Sequence, residues 1–217
     1  MNRPQAILFD MDGTLVDAFA PIVGALNGVL REFGKEELSA EAIRRFTGGG
    51  VDHMQMLFGE RKIEALQRFH ELHDARYLSE IAPLPGADAL LRWLAEQQIP
   101  AAIVTSKGES RAHAQLAVLG WQSLFGAVVG KIDGRPEKPS PAPVWLACER
   151  LGVEASETLF IGDGLADMRA GAAAGSRPLG LIGHYSAEEL SDAGADDCFA
   201  SLNDLHRWLQ ATLSPRL

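Results

Sequence analysis

A chain of 217 residues is long enough for one large domain, or for one domain with an insertion. It is 47% hydrophobic and 23% charged, the composition of an ordinary soluble globular protein. The formal net charge is −9 and no basic run is present, which argues against nucleic acid or an anionic membrane surface as a partner.

No apolar segment approaches the ~20 residues that a membrane-spanning helix needs. The first predicted strand begins so close to Met1 that no room remains for a signal peptide. Cys148 and Cys198 are far apart in the sequence and belong to no metal-binding spacing. We therefore expect a cytoplasmic protein in which both cysteines are reduced packing residues.

The first predicted element is a short buried strand that ends in two acids. Ala6–Phe9 is apolar and is followed by Asp10, Met11, Asp12 and Gly13. In open α/β sheets ligands collect at the carboxyl ends of the strands, so this strand would carry both carboxylates to that edge. Two ionised carboxylates placed there need a cation or a shared proton. The alternative is a polar turn, because Asp and Gly are common turn residues.

The next part of the chain is predicted to be helical throughout. Apolar residues recur at helical spacing over 21–33, and further helices are predicted over 39–46, 51–58 and 63–78. No stretch between 18 and 80 has the pattern of a strand. These residues predict an all-helical insertion after the first strand.

From residue 84 onward, strands and helices alternate. The predicted strands are 101–105, 127–129, 158–161 and 177–182, with a last one near 198–199. Helices between such strands indicate a parallel sheet with right-handed crossovers. The predicted fold class is α/β: a doubly wound, Rossmann-like core domain of residues 1–16 and 84–217, with a helical cap domain of residues 17–83.

Three later segments place polar side chains at strand ends or helix starts: Thr105-Ser106-Lys107-Gly108, Glu137-Lys138-Pro139-Ser140-Pro141 and Gly162-Asp163-Gly164-Leu165-Ala166-Asp167. A hydroxyl at Thr105 can bond a phosphate oxygen, or it can simply cap the following helix. Taken alone, Lys138 is most simply a solvated loop lysine, and the alternative role for Asp163 is to cap the following helix. The step of four residues from Asp163 places Asp167 on the first turn of the next helix, facing the same sheet edge.

Together these segments resemble the four sequence motifs of the haloacid dehalogenase superfamily, most of whose members are phosphatases. The string Phe-Asp-Met-Asp-Gly-Thr-Leu-Val-Asp at 9–17 is similar to the first motif. Thr105 corresponds to the second motif, Lys138 to the third, and Asp163 with Asp167 to the fourth. Two positions depart from the pattern: Ser106 stands where relatives often have Asn, and Gly164 where they usually have Ser or Thr.

The resemblance implies a Mg²⁺-dependent phosphate monoester hydrolase that works through an aspartyl-phosphate. Asp10 would be the nucleophile, Asp12 the general acid and base, and Lys138 the group that neutralises the nucleophile and binds the transferring phosphoryl group. Mg²⁺ would be held by the side chains of Asp10 and Asp163 and by the backbone carbonyl of Asp12. Gly13, Thr105 and Ser106 would bind the phosphoryl group, and Asp167 would order Lys138 or a water.

The charge balance favours a bound cation, because the negative charge of four carboxylates and a phosphate ester exceeds what Lys138 alone can neutralise. The glycine loop at 47–50 is similar to one that the caps of phosphoglycolate phosphatases direct toward the active site. Gly49 and Arg45 are therefore expected to contact the substrate, although a role as ordinary surface residues explains Arg45 equally well. We expect a small phosphorylated metabolite as substrate and a monomer or homodimer.

Other activities of the same superfamily stay open. A sugar phosphomutase of the β-phosphoglucomutase kind shares all four motifs. A dehalogenase needs no acid at the position of Asp12, and a phosphonate hydrolase needs a cap lysine, for which only Lys35 and Lys62 are available. A non-catalytic phosphate-binding module would be expected to have lost a motif acid, and none is lost.

Overall fold

The structure is a computed structural model that describes the backbone of residues 3–46 and 50–213, and the side chains of 3–43 and 54–213. The strands are β1 Ala6–Phe9, β2 Val16–Asp17, β3 Ala82–Pro83, β4 Ala101–Gly108, β5 Ala127–Lys131, β6 Thr158–Gly162, β7 Arg177–Leu181 and β8 Asp197–Phe199. The α-helices are α1 Phe19–Glu32, α2 Ala40–Phe46, α3 Gly50–Phe58, α4 Lys62–Arg76, α5 Ala87–Glu96, α6 Glu109–Val118, α7 Ala142–Leu151, α8 Leu165–Ala174, α9 Ala187–Asp192 and α10 Leu202–Leu213.

A six-stranded sheet in the order β5-β4-β1-β6-β7-β8 forms the centre of the larger unit. Every neighbouring pair is parallel, and each returning connection contains a helix. The residues of β1 are all buried, as expected for a strand that is covered on both faces of a parallel sheet. The predicted doubly wound α/β core with a parallel sheet is confirmed.

The strand order reverses between β1 and β6. From β1 the chain moves outward through β4 and β5, and it then returns to the other side of β1 to build β6, β7 and β8. Such a reversal separates the loops at the carboxyl ends of the two strands and opens a crevice there. Phe9 and Ile161 are paired across these strands, and the N–H of Asp10 donates to the carbonyl of Ile161 at 2.8 Å.

Helices α7 and α8 bury one face of this sheet. Leu8 and Phe160 from the central strands pack with Val144, Cys148 and Ala170 from these helices. Cys148 lies within this cluster and Cys198 is half-buried, and both are free thiols. Burial of these apolar side chains fixes β1 against β6, and it thereby fixes the loops that follow the two strands.

The chain divides into two compact units, Met1–Asp17 with Pro83–Leu217 and Ala18–Ala82. The smaller unit has its own apolar cluster, which includes Leu26, Val29, Leu30, Met54 and Phe58. Its regular secondary structure within the described residues is helical, apart from Ala82, which belongs to the two-residue strand β3. The predicted boundaries, 1–16, 17–83 and 84–217, differ from this division by one residue at each junction. The assignment of the two units as a core domain and a cap domain stays a prediction.

Strands β2 and β3, which lie at the two junctions of this division, pair as a separate two-stranded sheet. None of the helices in the described part of the chain has both the length and the apolar character that a membrane span requires. The glycines at 48 and 49 lie outside the described residues.

Candidate active site

The ammonium group of Lys138 joins three distant parts of the chain. Its Nζ donates to Asp10 Oδ1 at 2.7 Å, to Asp167 Oδ1 at 2.5 Å and to the carbonyl of Val104 at 3.0 Å. The side chain is 4% exposed. Burial alone would lower the pKa of Lys138, but the charges of Asp10 and Asp167 outweigh it and hold this pKa above its ordinary value. Lys138 is therefore a buried cation with all three donors occupied.

Asp163, at the end of β6, is held from two sides. Its Oδ1 accepts a hydrogen bond from the hydroxyl of the fully buried Thr14 at 2.9 Å. Gly13 has a φ of +85°, and a Cβ at this position would lie 2.4 Å from Asp163 Oδ2. Gly162 stands in the same relation to Asp167, because a Cβ added at Gly162 would lie 2.5 Å from the Asp167 Cβ. The two glycines let both carboxylates approach the backbone more closely than any side chain would permit.

Asp10, Asp163 and Asp167 form what we call the acidic cluster. Each contributes a carboxylate oxygen, and these oxygens lie within 4.8 Å of one another. Burial, followed by the negative charges of Asp10 and Asp167, raises the pKa of Asp163 to about 7. Burial also raises the pKa of Asp167, against the opposing effect of Lys138. Three acids facing one ammonium leave an excess of negative charge, which a divalent cation would balance.

Asp12 belongs to a second ion pair, with Lys107. Lys107 Nζ donates to Asp12 Oδ1 at 2.6 Å, and it also donates to Gln115 Oε1 in α6. Burial raises the pKa of Asp12, although the charge of Lys107 opposes this. The two motif acids that follow β1 therefore have different cationic partners, Lys138 for Asp10 and Lys107 for Asp12.

The two predicted hydroxyl residues differ in their surroundings. Thr105 is 7% exposed, and its Oγ1 accepts a hydrogen bond from the backbone N–H of Lys107 at 3.2 Å. Its hydroxyl hydrogen stays available for a phosphoryl oxygen. Ser106 is exposed and, within the described residues, makes no hydrogen bond to the acidic cluster. The side chain of Arg45, and Gly49 as a whole, lie outside the described residues.

Thr14 and Lys107 were not singled out from the sequence as site residues. Thr14 lies within the first motif string, but its partner Asp163 is 149 residues away. Lys107 follows Thr105 by two positions on β4, which continues to Gly108 and not only to residue 105 as predicted. Residues two apart on a strand share a face, and this spacing was the signal that could have found Lys107.

Comparison with known proteins agrees with this geometry. The family model described as haloacid dehalogenase-like hydrolase matches residues 7–180. Over 95% of this chain and 91% of the relative, the sequence is 35% identical to a phosphoglycolate phosphatase of Rhodospirillum rubrum. The fold, the site and these matches define the class of the protein, which is a phosphatase enzyme.

Solved structures show the same fold. A hydrolase of the haloacid dehalogenase family from Deinococcus radiodurans, solved with bound phosphate and sodium, has 28% identity and a TM-score of 0.81, covering 99% of this chain and 100% of that one. A putative β-phosphoglucomutase from Thermotoga maritima has 24% identity and a TM-score of 0.82, covering 96% and 99%, and shows likeness in fold alone. The chain belongs to the haloacid dehalogenase-like hydrolase family.

Proposed function

We propose that the protein is a Mg²⁺-dependent phosphate monoester hydrolase that acts on a small, carboxylated phosphate ester of the 2-phosphoglycolate type through a phosphoryl group carried on Asp10. The observation that carries this proposal is the placement of Lys138 between Asp10 and Asp167, at the crevice where β1 and β6 diverge. Curated relatives that bear the name phosphoglycolate phosphatase support the substrate type.

The donor set fits a hard divalent cation. Both oxygens of Asp167 are already engaged, Oδ1 by Lys138 and Oδ2 by the N–H of Gly164 at 2.9 Å. We therefore assign the carboxylate ligands to Asp10 and Asp163. The family resemblance implies the Asp12 backbone carbonyl as a third protein ligand. Mg²⁺ prefers such oxygen ligands, and when bound it would polarise the phosphoryl oxygens and offset their charge.

In the first half of the reaction, a carboxylate oxygen of Asp10 attacks phosphorus while the bond to the leaving oxygen breaks. Asp12 gives its proton to that oxygen, so the product leaves as a neutral alcohol. Lys138 and the Thr105 hydroxyl stabilise the charge that develops on the phosphoryl oxygens. Because Asp10 is 7% exposed, few waters compete for its carboxylate.

In the second half, water attacks the phosphorus of the aspartyl-phosphate and the bond to Asp10 breaks. Asp12, now ionised, accepts the proton of this water and returns to its starting state. Inorganic phosphate leaves, and the carboxylate of Asp10 is regenerated. Acid–base assistance of this kind is typically worth ~10²–10⁴-fold in rate.

A phosphate-release assay over a panel of esters tests this proposal. We expect Mg²⁺-dependent release of phosphate from 2-phosphoglycolate, and loss of activity on addition of EDTA. Asp10→Asn should abolish turnover without unfolding the chain, whereas Asp192→Asn, at an exposed acid of α9, should behave as wild type. Substantial turnover by Asp10→Asn would show that the nucleophile is misassigned. An isomerised hexose phosphate, formed from a hexose 1-phosphate without release of phosphate, would favour a mutase instead.

A further inference from the structure

We propose that Lys107 is a positioning residue for Asp12, fixing one carboxylate oxygen so that the other serves the leaving oxygen. The pairing is direct, with 2.6 Å between Lys107 Nζ and Asp12 Oδ1. The Lys107 side chain is 11% exposed and that of Asp12 is 33% exposed. The Lys107 side chain is thus the more buried member of the pair. This inference rests on the proposed function, since it takes Asp12 to be the acid and base.

Lys107 is itself held in place, which a positioning residue requires. Gln115 in α6 is 2% exposed, and its side-chain oxygen accepts a hydrogen bond from the Lys107 ammonium. The Lys107 backbone N–H donates to Thr105 Oγ1 at 3.2 Å. Because the amide of Gln115 is neutral, it anchors the ammonium without cancelling its charge, and Asp12 keeps the charge-assisted hydrogen bond.

Only one oxygen of Asp12 is engaged. Oδ1 accepts from Lys107, and within the described part of the chain Oδ2 accepts no hydrogen bond. A carboxylate that is fixed at one oxygen cannot rotate freely about its last bond, so its second oxygen keeps one direction. Small misplacements of a proton donor are costly in rate, and this gives the anchoring a catalytic consequence.

The ammonium groups of the two lysines have different acid partners. Lys138 contacts Asp10 and Asp167, while Lys107 contacts Asp12. Within the described residues, neither ammonium makes an ion pair with the acid of the other. Loss of Lys107 should accordingly impair proton donation to the leaving group and leave phosphoryl transfer to Asp10 otherwise intact.

Leaving groups of different basicity separate these effects. An alkyl phosphate such as 2-phosphoglycolate needs a proton on its leaving oxygen, whereas p-nitrophenolate departs without one. The quantity to compare is kcat/KM, because it reports the steps up to formation of the aspartyl-phosphate and excludes the hydrolysis of this intermediate. We expect Lys107→Met to lower kcat/KM by about 10- to 100-fold for 2-phosphoglycolate and by less than about 3-fold for p-nitrophenyl phosphate, within the usual range for acid–base assistance.

Matched variants make the result specific. Asp12→Asn removes the acid itself. It therefore shows the largest difference in the loss of kcat/KM between the two esters that loss of proton donation can produce. Lys107→Arg should recover part of the activity toward the alkyl ester, and Gln115→Leu should give a smaller loss of the same kind. Lys35→Met, at an exposed lysine of the smaller unit, should leave kcat/KM unchanged for both substrates.

Two outcomes overturn the inference. If Asp12→Asn shows the leaving-group dependence but Lys107→Met lowers kcat/KM equally for both esters, Lys107 does not position the acid. If Asp12→Asn itself affects both esters equally, the acid assignment in the proposed function is wrong and the inference falls with it. Should Lys107→Met fail to fold, Lys107→Arg and Gln115→Leu decide the question by the same comparison.

Discussion

The hydroxyl of Thr14 donates a hydrogen bond of 2.9 Å to Asp163 Oδ1, across 149 residues of sequence. Thr14 is fully buried in the loop after β1, and Asp163 follows β6. This contact ties together the two loops that the sheet reversal separates. A hydrogen bond of this kind orients a carboxylate that is to serve as a metal ligand.

Removing the Thr14 hydroxyl should weaken the metal site. Thr14→Val keeps the shape of the side chain but leaves Asp163 Oδ1 without its donor. We expect the Mg²⁺ concentration for half-maximal activity to rise by about 10- to 100-fold, the usual effect of losing an outer hydrogen-bond partner of a ligand. Thr14→Ser retains the hydroxyl and should stay near wild type. An unchanged Mg²⁺ requirement in Thr14→Val would exclude Asp163 as a ligand oriented by Thr14.

A methyl group at Gly13 should displace Asp163. Gly13→Ala would place a Cβ 2.4 Å from Asp163 Oδ2, in a backbone conformation with φ +85°. We expect loss of about 1–2 kcal/mol of stability from the backbone strain and a loss of most Mg²⁺-dependent activity from the clash. Gly120→Ala is the matched control, because Gly120 also has a positive φ, +69°. A Cβ added at Gly120 would meet no atom of the other described residues within 4 Å. This control variant should lose similar stability in urea unfolding and keep its activity.

The pH dependence of metal stabilisation follows from Asp163, whose pKa is raised to about 7 by burial and by neighbouring acids. Folded metal-free protein holds a proton that the unfolded chain releases near its ordinary pKa of 3.8. The contribution of this proton to the free energy of unfolding is therefore fully present below about pH 4, and it is lost as the pH rises through about 7. If Asp163 is a ligand, as proposed, Mg²⁺ must displace this proton at pH 5 but not at pH 8.

The expected result is a larger Mg²⁺-induced gain in the free energy of unfolding at pH 8 than at pH 5, measured by urea unfolding with Mg²⁺ or with EDTA. Asp163→Asn cannot bind that proton, so the metal-free variant should lose less stability than wild type between pH 4 and pH 7. Equal gains from Mg²⁺ at both pH values would mean that Asp163 is not the titrating ligand.

Lys138 and Lys131 offer a comparison of buried and exposed ion pairs. Lys138→Met leaves the carboxylates of Asp10 and Asp167 without their cation, and loss of one partner of a buried pair typically costs ~3–5 kcal/mol. Lys131 pairs with Glu137 at 2.7 Å, but the two side chains are 53% and 40% exposed. Lys131→Met should therefore cost less than about 1 kcal/mol. Urea unfolding in EDTA measures both, and similar losses would contradict the burial argument.

Arg45 provides a test of substrate recognition. If its guanidinium meets the substrate carboxylate, Arg45→Ala should raise KM for 2-phosphoglycolate more than for a neutral phosphate ester, because a charge-assisted contact is lost only with the former. Steady-state kinetics with both esters measures this difference. Equal changes in KM would remove Arg45 from substrate recognition.

The sequence predicted the strands of the six-stranded sheet well, because apolar runs such as Ala6–Phe9 are buried wherever a parallel sheet forms. The pair of short strands β2 and β3 was not predicted. The sequence also did not reveal two polar contacts, the one between Thr14 and Asp163 and the one between Lys107 and Asp12. The hydrogen bond between Thr14 and Asp163 depends on the register of β1 against β6, which no local pattern encodes. Lys107 was missed because β4 was expected to end at Thr105. The metal ligand set and the roles of Arg45 and Gly49 stay predictions.

The reversal of strand order between β1 and β6 also bears on how the enzyme is made. Asp10 leaves the ribosome early in translation, whereas Lys138, Asp163 and Asp167 emerge much later. A nascent chain that ends before β6 lacks one of the two strands that flank β1, and it lacks two of the three residues of the acidic cluster. A translation product that ends before α8 lacks Asp167, one of the two carboxylate partners of Lys138, so we expect activity to report on chains whose synthesis has passed α8.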